Sequence, residues 1–267
     1  MSLTFILTLI ALGAATGFAA GLLGIGGGMI LVPFLTLIFG VMQFEATHLV
    51  HVAIATSLAT ILFTSISSIR AHHKRGAVRW PVALSLTPGI VIGSWIGPMI
   101  AARLDTRVLA GFFAVFVGFS AWQTLKNKKP TASRELPGVP GRLGAGGVIG
   151  LLSGMVGAGG GFISVPYMVW CNVPIHNAVA TSAVLGFPIA LAGTLSYIWN
   201  GLNVTGLPEG ALGYVYMPAL AAIAVASVLT APLGAKVAHS MNTQSLKRAF
   251  AFVLFTLAGY MAYKALG

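Results

Sequence analysis

The chain has 267 residues, of which 57% are apolar and only 7% are charged, whereas about a quarter of the residues of an ordinary soluble domain are charged. Its formal net charge of +11 does not indicate nucleic-acid binding, because the Lys and Arg residues lie in short loops between apolar stretches and not on one polar face. The single cysteine, Cys171, excludes an intramolecular disulfide and argues against a cysteine-based metal cluster. We therefore expect a multi-pass membrane protein with no nucleic-acid partner.

Apolar stretches of about 20 residues, the length that crosses a hydrocarbon core of roughly 30 Å, recur along the chain. The segment 3–23 has no basic stretch before it, so we predict that it belongs to the mature fold and is not a cleaved signal peptide. The predicted fold class is all-α, a polytopic transmembrane helical bundle. The predicted helical segments are, in chain order, 3–23, 29–40, 48–70, 81–102 and 107–125 in the first half, and 143–156, 161–170, 176–199, 214–236 and 245–265 in the second.

The two halves are related by an internal duplication. Gly13–Pro33 aligns with Gly146–Pro166 at a constant offset of 133 residues, and seven glycines find identical partners. A second match, at an offset of 125 residues, pairs His51, Thr56 and Ser57 with His176, Thr181 and Ser182. The domain prediction is a first transmembrane repeat at 1–125, a cytoplasmic linker at 126–142 and a second transmembrane repeat at 143–267.

Each half contains a glycine-rich break followed by a short apolar segment. The segments 29–40 and 161–170 rise only about 15 to 18 Å as helices, roughly half of a bilayer core. Each one either continues the preceding helix through a kink or forms a re-entrant hairpin with it. Hairpins make the repeats inverted and put 12 of the 15 basic residues on one side, whereas kinked helices make the repeats parallel and split the charges 10 to 5. The positive-inside tendency favours inverted repeats, although 3–23 is long enough to span and keeps the parallel arrangement open.

The glycine breaks are the candidate substrate site. Neither completes GxGxxG between a strand and a helix, so dinucleotide binding is excluded. Backbone exposed by a broken membrane helix is tolerated only where protein or a wet cavity satisfies it, and the N-terminus of the following half-helix suits an anion. Paired breaks in two repeats are typical of transporter substrate sites. The alternative is close packing, which we expect for the earlier rows Gly13, Gly17, Gly21 and Gly146, Gly150, Gly154.

Paired polar residues follow the breaks. The hydroxyls can donate to an oxyanion or bond their own backbone, and the histidines can carry protons or be structural. Because no Asp or Glu lies within a predicted span, we expect an anionic or neutral substrate and no metal or cofactor, and no nucleophile with a nearby base suggests an enzyme. The candidate substrate-binding residues are Gly24, Gly26, Gly27, Gly28, Pro33, Thr56, Ser57, Gly157, Gly159, Gly160, Gly161, Pro166, Thr181 and Ser182, and the candidate coupling residues are His51 and His176.

The sequence resembles the sulfite exporter TauE/SafE family, also described as the 4-toluene sulfonate uptake permease family. The resemblance is carried by Gly17-Phe-Ala-Ala-Gly21-Leu-Leu-Gly24-Ile-Gly26-Gly27-Gly28-Met-Ile-Leu-Val32-Pro33, by its repeat at Gly150–Pro166 and by the Ala-Thr-Ser in each half. It implies a permease of the bacterial or archaeal inner membrane for sulfur-containing anions such as sulfite, sulfoacetate or other organosulfonates. We expect a secondary transporter that works by alternating access, with a proton or sodium ion as the coupling ion. The alternative function is a non-transporting membrane scaffold or regulatory partner of another complex.

Overall fold

A computed structural model of the chain describes residues 3–23, 27–126, 135–237 and 243–266, which form ten α-helices and one short β-hairpin. The helices of the first half are α1 (Leu3–Leu23), α2 (Gly28–Val41), α3 (Leu49–Lys74), α4 (Trp80–Ala101) and α5 (Thr106–Lys126). Those of the second half are α6 (Val139–Val156), α7 (Gly161–Trp170), α8 (Ile175–Gly201), α9 (Met217–Val237) and α10 (Thr243–Leu266). The strands β1 (Ala211–Leu212) and β2 (Val215–Tyr216) are antiparallel and directly precede α9.

Seven of the described helices, namely α1, α3, α4, α5, α6, α8 and α9, are long and apolar enough to cross a membrane. The short helices α2 and α7 and the apolar part of α10 at Ala251–Leu266 fall below that length. Large apolar side chains such as Val115 and Phe252 are about three-quarters exposed, as lipid-facing residues of a membrane bundle are. The predicted all-α polytopic bundle is confirmed, and the protein is a multi-pass integral membrane protein.

The helix bounds agree with the predicted segments to within a few residues at most positions. One difference is α6, which begins at Val139, inside the predicted linker 126–142. Pro140 lies in the first turn of α6, where its missing N–H would have no intrahelical partner, so the proline does not delay the helix start. A second difference is the predicted helical segment 214–236, whose first residues form β2 instead.

Both glycine breaks reverse the chain. A Cβ atom on Gly27 would lie 2.9 Å from the carbonyl oxygen of Thr16, eleven positions earlier in the chain. In the second half, a Cβ atom on Gly160 would lie 3.2 Å from the hydroxyl oxygen of Ser153. The start of each short helix therefore lies beside the helix that precedes it, so α1 with α2 and α6 with α7 form helical hairpins.

Each hairpin packs against the other repeat through its row of glycines. Along α1, Gly13 lies against Ile223 and Gly17 against Ser227, so α1 runs parallel to α9 with backbones in direct contact. Along α6, the corresponding glycines lie against α4 in the same parallel sense: Gly146 against Leu86, Gly150 against Ile90 and Gly154 against Pro98. A Cβ on any of these glycines would overlap or press on the partner helix, so the predicted packing role is confirmed for these five.

Equivalent helices of the two repeats run in opposite directions. In the centre of the bundle, Gly193 of α8 contacts Leu58 of α3, whereas the nearest α3 residue to the earlier Gly186 is the later Ser65, so α3 and α8 are antiparallel. Gly111 lies near Ala265 and Gly118 near Ala258, which makes α5 and α10 antiparallel as well. The inverted arrangement of the repeats itself stays a prediction.

Candidate functional site

The two glycine breaks meet at the centre of the bundle. A Cβ atom on Gly28 would collide with the carbonyl oxygen of Gly157 and would lie 2.8 Å from Cδ1 of Ile61, which is at the middle of α3. The same Gly157 carbonyl accepts a hydrogen bond of 3.0 Å from the Ser57 hydroxyl. Gly160 faces Ile189 at the middle of α8. Both breaks therefore lie halfway along the two central helices.

The short helices begin from glycines in the left-handed conformation. Gly27 has φ 67° and precedes α2, and Gly160 has φ 75° and precedes α7. Among the described residues no side chain caps either N-terminus, and each helix start carries the partial positive charge of the helix end. Gly24 and Gly26 lie outside the described residues. Pro33 and Pro166 lie inside α2 and α7, past the breaks.

A cavity lies beside the second break. The volume that the centre of a water molecule can occupy in it is about 20 Å³. Gly159 and Ser182 form one side of it, and Thr64, Ser65 and Ser68 of α3 form another. None of the described residues that line it carries a charge; the rest of its wall is Ala20, Gly21, Ile61, Ala183, Gly186 and Ala231. In its present volume the cavity accommodates about one water molecule, so a larger occupant requires neighbouring side chains to move.

A smaller cavity of about 10 Å³ lies beside the first break. Its wall contains Gly27, which precedes α2, and the hydroxyls of Thr16, Thr60 and Ser227. The two cavities share Ala20, Ile61 and Thr64. The breaks before α2 and α7 therefore open on two neighbouring spaces that a few side chains separate.

Thr56 and Thr181 occupy equivalent positions but do not line either cavity. The Thr56 hydroxyl accepts a hydrogen bond of 3.1 Å from the backbone N–H of Tyr216, just before α9. The Thr181 hydroxyl accepts one of 3.0 Å from the backbone N–H of Arg79, just before α4. Both threonines are fully buried. Each one therefore satisfies an amide at the start of a helix from the other repeat, and these two bonds tie the repeats together at opposite ends of the bundle.

The adjacent serines differ from each other. Ser57 donates to the Gly157 carbonyl and so ties α3 to the second break. Ser182 lies 2.7 Å from the Ser164 hydroxyl of α7, and it also lines the larger cavity. Of the four candidate hydroxyls, only Ser182 combines burial with direct access to a cavity.

The two candidate coupling histidines are in different surroundings. His51 is 2% exposed, and its Nε2 donates to the carbonyl oxygens of Ala101 at 3.0 Å and Leu104 at 3.1 Å. Ala101 is the last residue of α4 and Leu104 follows it by three residues, at a helix end whose last carbonyls have no partner within the helix. His176, at the equivalent position in α8, is exposed. His51 therefore acts as a cap for α4. Within the described residues no group of three His, Cys, Asp or Glu side chains is placed to hold a metal ion.

The β-hairpin closes the end of the bundle at which α3 begins. The Tyr214 ring stacks on the His51 ring at 5.4 Å, and the Tyr216 ring contacts Phe39 and Phe44 edge to face at 5.6 Å and 5.0 Å. Burial raises the pKa of both tyrosines above the usual value, which keeps the phenols neutral. No equivalent hairpin precedes α4, which follows α3 after only a short loop.

Sequence reasoning missed the α3 hydroxyls of the larger cavity, Thr64, Ser65 and Ser68. They lie two to three turns beyond Thr56, on the same helix. The search for paired positions did not find them, since the second-half equivalents of Thr64 and Ser65 are the apolar Ile189 and Ala190. A search for hydroxyls that follow the breaks at helical spacing would have found them.

Comparison with known proteins is consistent with this architecture. Residues 9–261 match the model of the family described as sulfite exporter TauE/SafE. A probable membrane transporter protein of Haemophilus influenzae is 34% identical over 98% of this chain and 99% of its own length. A probable membrane transporter protein of Methanocaldococcus jannaschii is 28% identical over 95% of this chain and 94% of its own length.

A third relative, the probable membrane transporter protein YdhB of Bacillus subtilis, is 27% identical over 92% of this chain and 95% of its own length. No solved structure gives a significant match to the chain. The family model covers nearly every described helix, and the paired glycine breaks that it spans are the ones that meet at the centre of the bundle. The chain therefore belongs to the sulfite exporter TauE/SafE family.

Proposed function

We propose that this membrane transporter is a secondary carrier that moves a small sulfur-containing anion, such as sulfite or a small organosulfonate, by alternating access. The observation that carries the proposal is the cavity beside the second break, whose described lining residues are uncharged and include the hydroxyl-bearing residues of α3, Ser182 and Gly159, two residues before α7 begins. Half-helix N-termini in paired repeats are where broken-helix transporters hold anionic groups.

The donors around the cavity suit an oxyanion. The Ser182 hydroxyl, 2.7 Å from that of Ser164, and the Ser65 hydroxyl, which donates to the Leu62 carbonyl at 2.9 Å, could each rotate to donate to a sulfonyl or sulfite oxygen. The start of α7, two residues after Gly159, would add the partial positive charge of a helix end. A hydrogen bond to a charged group is worth about 1.5 to 3 kcal/mol. No Lys or Arg is among the described lining residues, so binding would be moderate and release would remain fast, as a carrier needs.

Alternating access would be asymmetric. The larger cavity is lined by the second half of α3, towards Lys74, whereas the opposite end is closed by Tyr214 and Tyr216. We propose that this conformation is closed on the side of the β-hairpin. In the other conformation the α3 and α8 pair would rock relative to the hairpins, with breakage of the Tyr216 to Thr56 hydrogen bond. A proton or sodium gradient remains the predicted driving force.

A scaffold or regulatory partner is the competing function. A scaffold does not require backbone at the middle of the membrane or a cavity lined by hydroxyls. The paired left-handed glycines, Gly27 and Gly160, create such backbone in both repeats. These features favour transport over a purely structural role, and the family and its relatives indicate a transporter rather than an enzyme.

We infer that the end of the bundle that carries Lys74 and Arg142 faces the cytoplasm of a bacterial or archaeal inner membrane, because Lys and Arg are retained on that side. The inverted arrangement then puts the start of α3 outside and the start of α8 inside.

With Cys171 replaced by Ala, we expect Glu45→Cys to react with an impermeant thiol reagent added to intact cells. His176→Cys should react only after lysis. Reaction of both from the same side would contradict the inverted orientation.

Transport is tested with purified protein in liposomes under a proton or sodium gradient. The panel is sulfite, sulfoacetate, taurine, thiosulfate and sulfate, with protein-free liposomes as the control. We expect at least one sulfur anion to accumulate several-fold above the control and to be displaced by unlabelled anion. Failure of every anion to move, with monodisperse protein in the membrane, would contradict the proposed function and favour the scaffold.

A further inference from the structure

Gly186 has no structural reason to be glycine. It is buried in the interior of α8, where glycine is destabilising relative to alanine. Its φ is not positive. A Cβ atom on it would lie 3.6 Å from the Gly159 carbonyl oxygen and 4.0 Å from Cβ of Ser65, which are ordinary van der Waals contacts. The helix would accept alanine there without a collision, unlike the glycines that hold α6 against α4.

The added methyl group would instead enter the larger cavity, because Gly186 is part of its wall. The equivalent position of α3 is Ile61, at the repeat offset of 125 residues. Ile61 is 2% exposed and lines both cavities. At equivalent positions of the two central helices, α3 therefore has the large side chain of Ile61 and α8 has a glycine without a side chain, and both residues border the larger cavity.

We propose that Gly186 and Ile61 form the size filter of the substrate site: Gly186 leaves the room that the oxyanion head occupies, and Ile61 limits the group attached to it. The inference rests on the proposed transport of small sulfur anions and specifies their size. The cavity provides space for about one water molecule before any side chain moves. It therefore selects inorganic oxyanions and sulfonates with a short substituent over aryl sulfonates.

Ile61 has the largest side chain of the three residues, with Ala20 and Thr64, that border both cavities. Its Cδ1 would lie 2.8 Å from a Cβ on Gly28 at the first break, and its side chain also borders the cavity at the second break. Truncation of Ile61 would join the two cavities. The joined space would have hydroxyls from Thr16, Thr60 and Ser65 on its walls and room for a longer substituent.

A hinge is the other role that a helix-interior glycine can have, and Pro188 lies two residues further along α8. The two roles give different results. A lost hinge would slow every substrate by the same factor through kcat. A filled cavity would raise KM and would penalise larger anions more than smaller ones.

The experiment measures uptake of sulfite, taurine and 4-toluene sulfonate into liposomes by the wild type and by Gly186→Ala, Ile61→Ala and the double variant Gly186→Ala with Ile61→Val. The control is Gly259→Ala in α10, where an added Cβ meets nothing within 4 Å. Thermal unfolding in detergent is followed for every variant. Wild-type uptake of sulfite is established first, so absence of transport by the wild type counts against the proposed function and not against the filter.

We expect Gly186→Ala to melt at or above the wild-type temperature and to lose at least tenfold in kcat/KM for sulfite, with a larger loss for taurine. Ile61→Ala should gain uptake of 4-toluene sulfonate. The double variant should recover part of the sulfite uptake, since one carbon is added and one removed. If Gly186→Ala transports like the wild type, or loses all substrates equally without rescue, the proposal is wrong.

Discussion

Replacement of Gly150 by Leu is expected to prevent the two repeats from assembling. A Cβ atom at this position would lie 2.9 Å from both the backbone nitrogen and the hydroxyl oxygen of Ser94, and it would also collide with the carbonyl of Ile90. These are mainly backbone atoms of α4 and cannot move aside, so the free energy of unfolding should fall by about 3 kcal/mol or more. Thermal unfolding in detergent and the yield of monodisperse protein measure the effect.

Gly144→Leu is the matched control, because Gly144 lies on the same helix and a Cβ there meets nothing within 4 Å. Leu is favoured over Gly in a helix, so this variant should unfold at or above the wild-type temperature. If the Gly144 and Gly150 variants unfolded at the same temperature, the close approach of α6 to α4 would not contribute to stability.

The second large effect is expected on transport. Gly160→Leu forces a side chain onto a residue with φ 75°, and its Cβ would lie 2.5 Å from Cδ1 of Ile189. The left-handed conformation costs an ordinary residue about 1 to 2 kcal/mol, whereas the clash is with the movable end of a side chain. We therefore expect the protein to remain folded with a lowered melting temperature, but sulfite uptake to fall at least 100-fold.

Gly27→Leu should also lose sulfite uptake, since Gly27 has φ 67°. Its melting temperature should fall further than that of Gly160→Leu, because the nearest atom to a Cβ at Gly27 is the backbone carbonyl oxygen of Thr16, at 2.9 Å. Gly144→Leu serves again as the control and should keep its uptake. Normal uptake by either break variant would show that the conformation of the breaks is not needed for transport. A loss in only one of the two would show that the breaks are not functionally equivalent.

Most helices could be predicted from the sequence because their signals are local. Long apolar runs separated by polar loops define α3, α4 and α8, and four-residue glycine spacing identifies the face on which Gly13 and Gly17 contact α9. The distribution of Lys and Arg residues among the loops also favours helical hairpins over kinked helices. The contacts make α3 antiparallel to α8 and α5 antiparallel to α10, and the inverted arrangement and the membrane orientation remain predictions.

The β-hairpin could not be predicted in the same way. Its strands have two residues each, and Tyr214 to Tyr216 continue directly into the apolar run of α9, so the pattern favoured an earlier helix start. What fixes the hairpin is contact with distant residues: His51 beneath Tyr214, and Phe39 and Phe44 around Tyr216. Pairings between residues so far apart in the chain leave no local pattern.

The site was only partly predictable for a related reason. Duplication identified Thr56 and Thr181 as equivalent, but whether a buried hydroxyl meets substrate or an amide of the other repeat depends on how the repeats dock. Ser65 and Gly186 were overlooked because the search required pairs, and the cavity is lined differently by the two repeats. Binding sites between pseudo-symmetric halves need not share their symmetry.

The parallel contact between α1 and α9 has a consequence for biogenesis. The glycine face of α1 is covered by Ile223 and Ser227, which leave the ribosome some 200 residues after α1 has entered the membrane. During that interval the glycine face of α1 is in contact with lipid or with an insertase. Formation of contacts between residues far apart in the chain is the slow part of assembly. The first half therefore cannot complete its packing until the second half has been made, and α6 of the second half needs α4 of the first. Co-expression of the two halves as separate chains should therefore rescue folding that neither achieves alone.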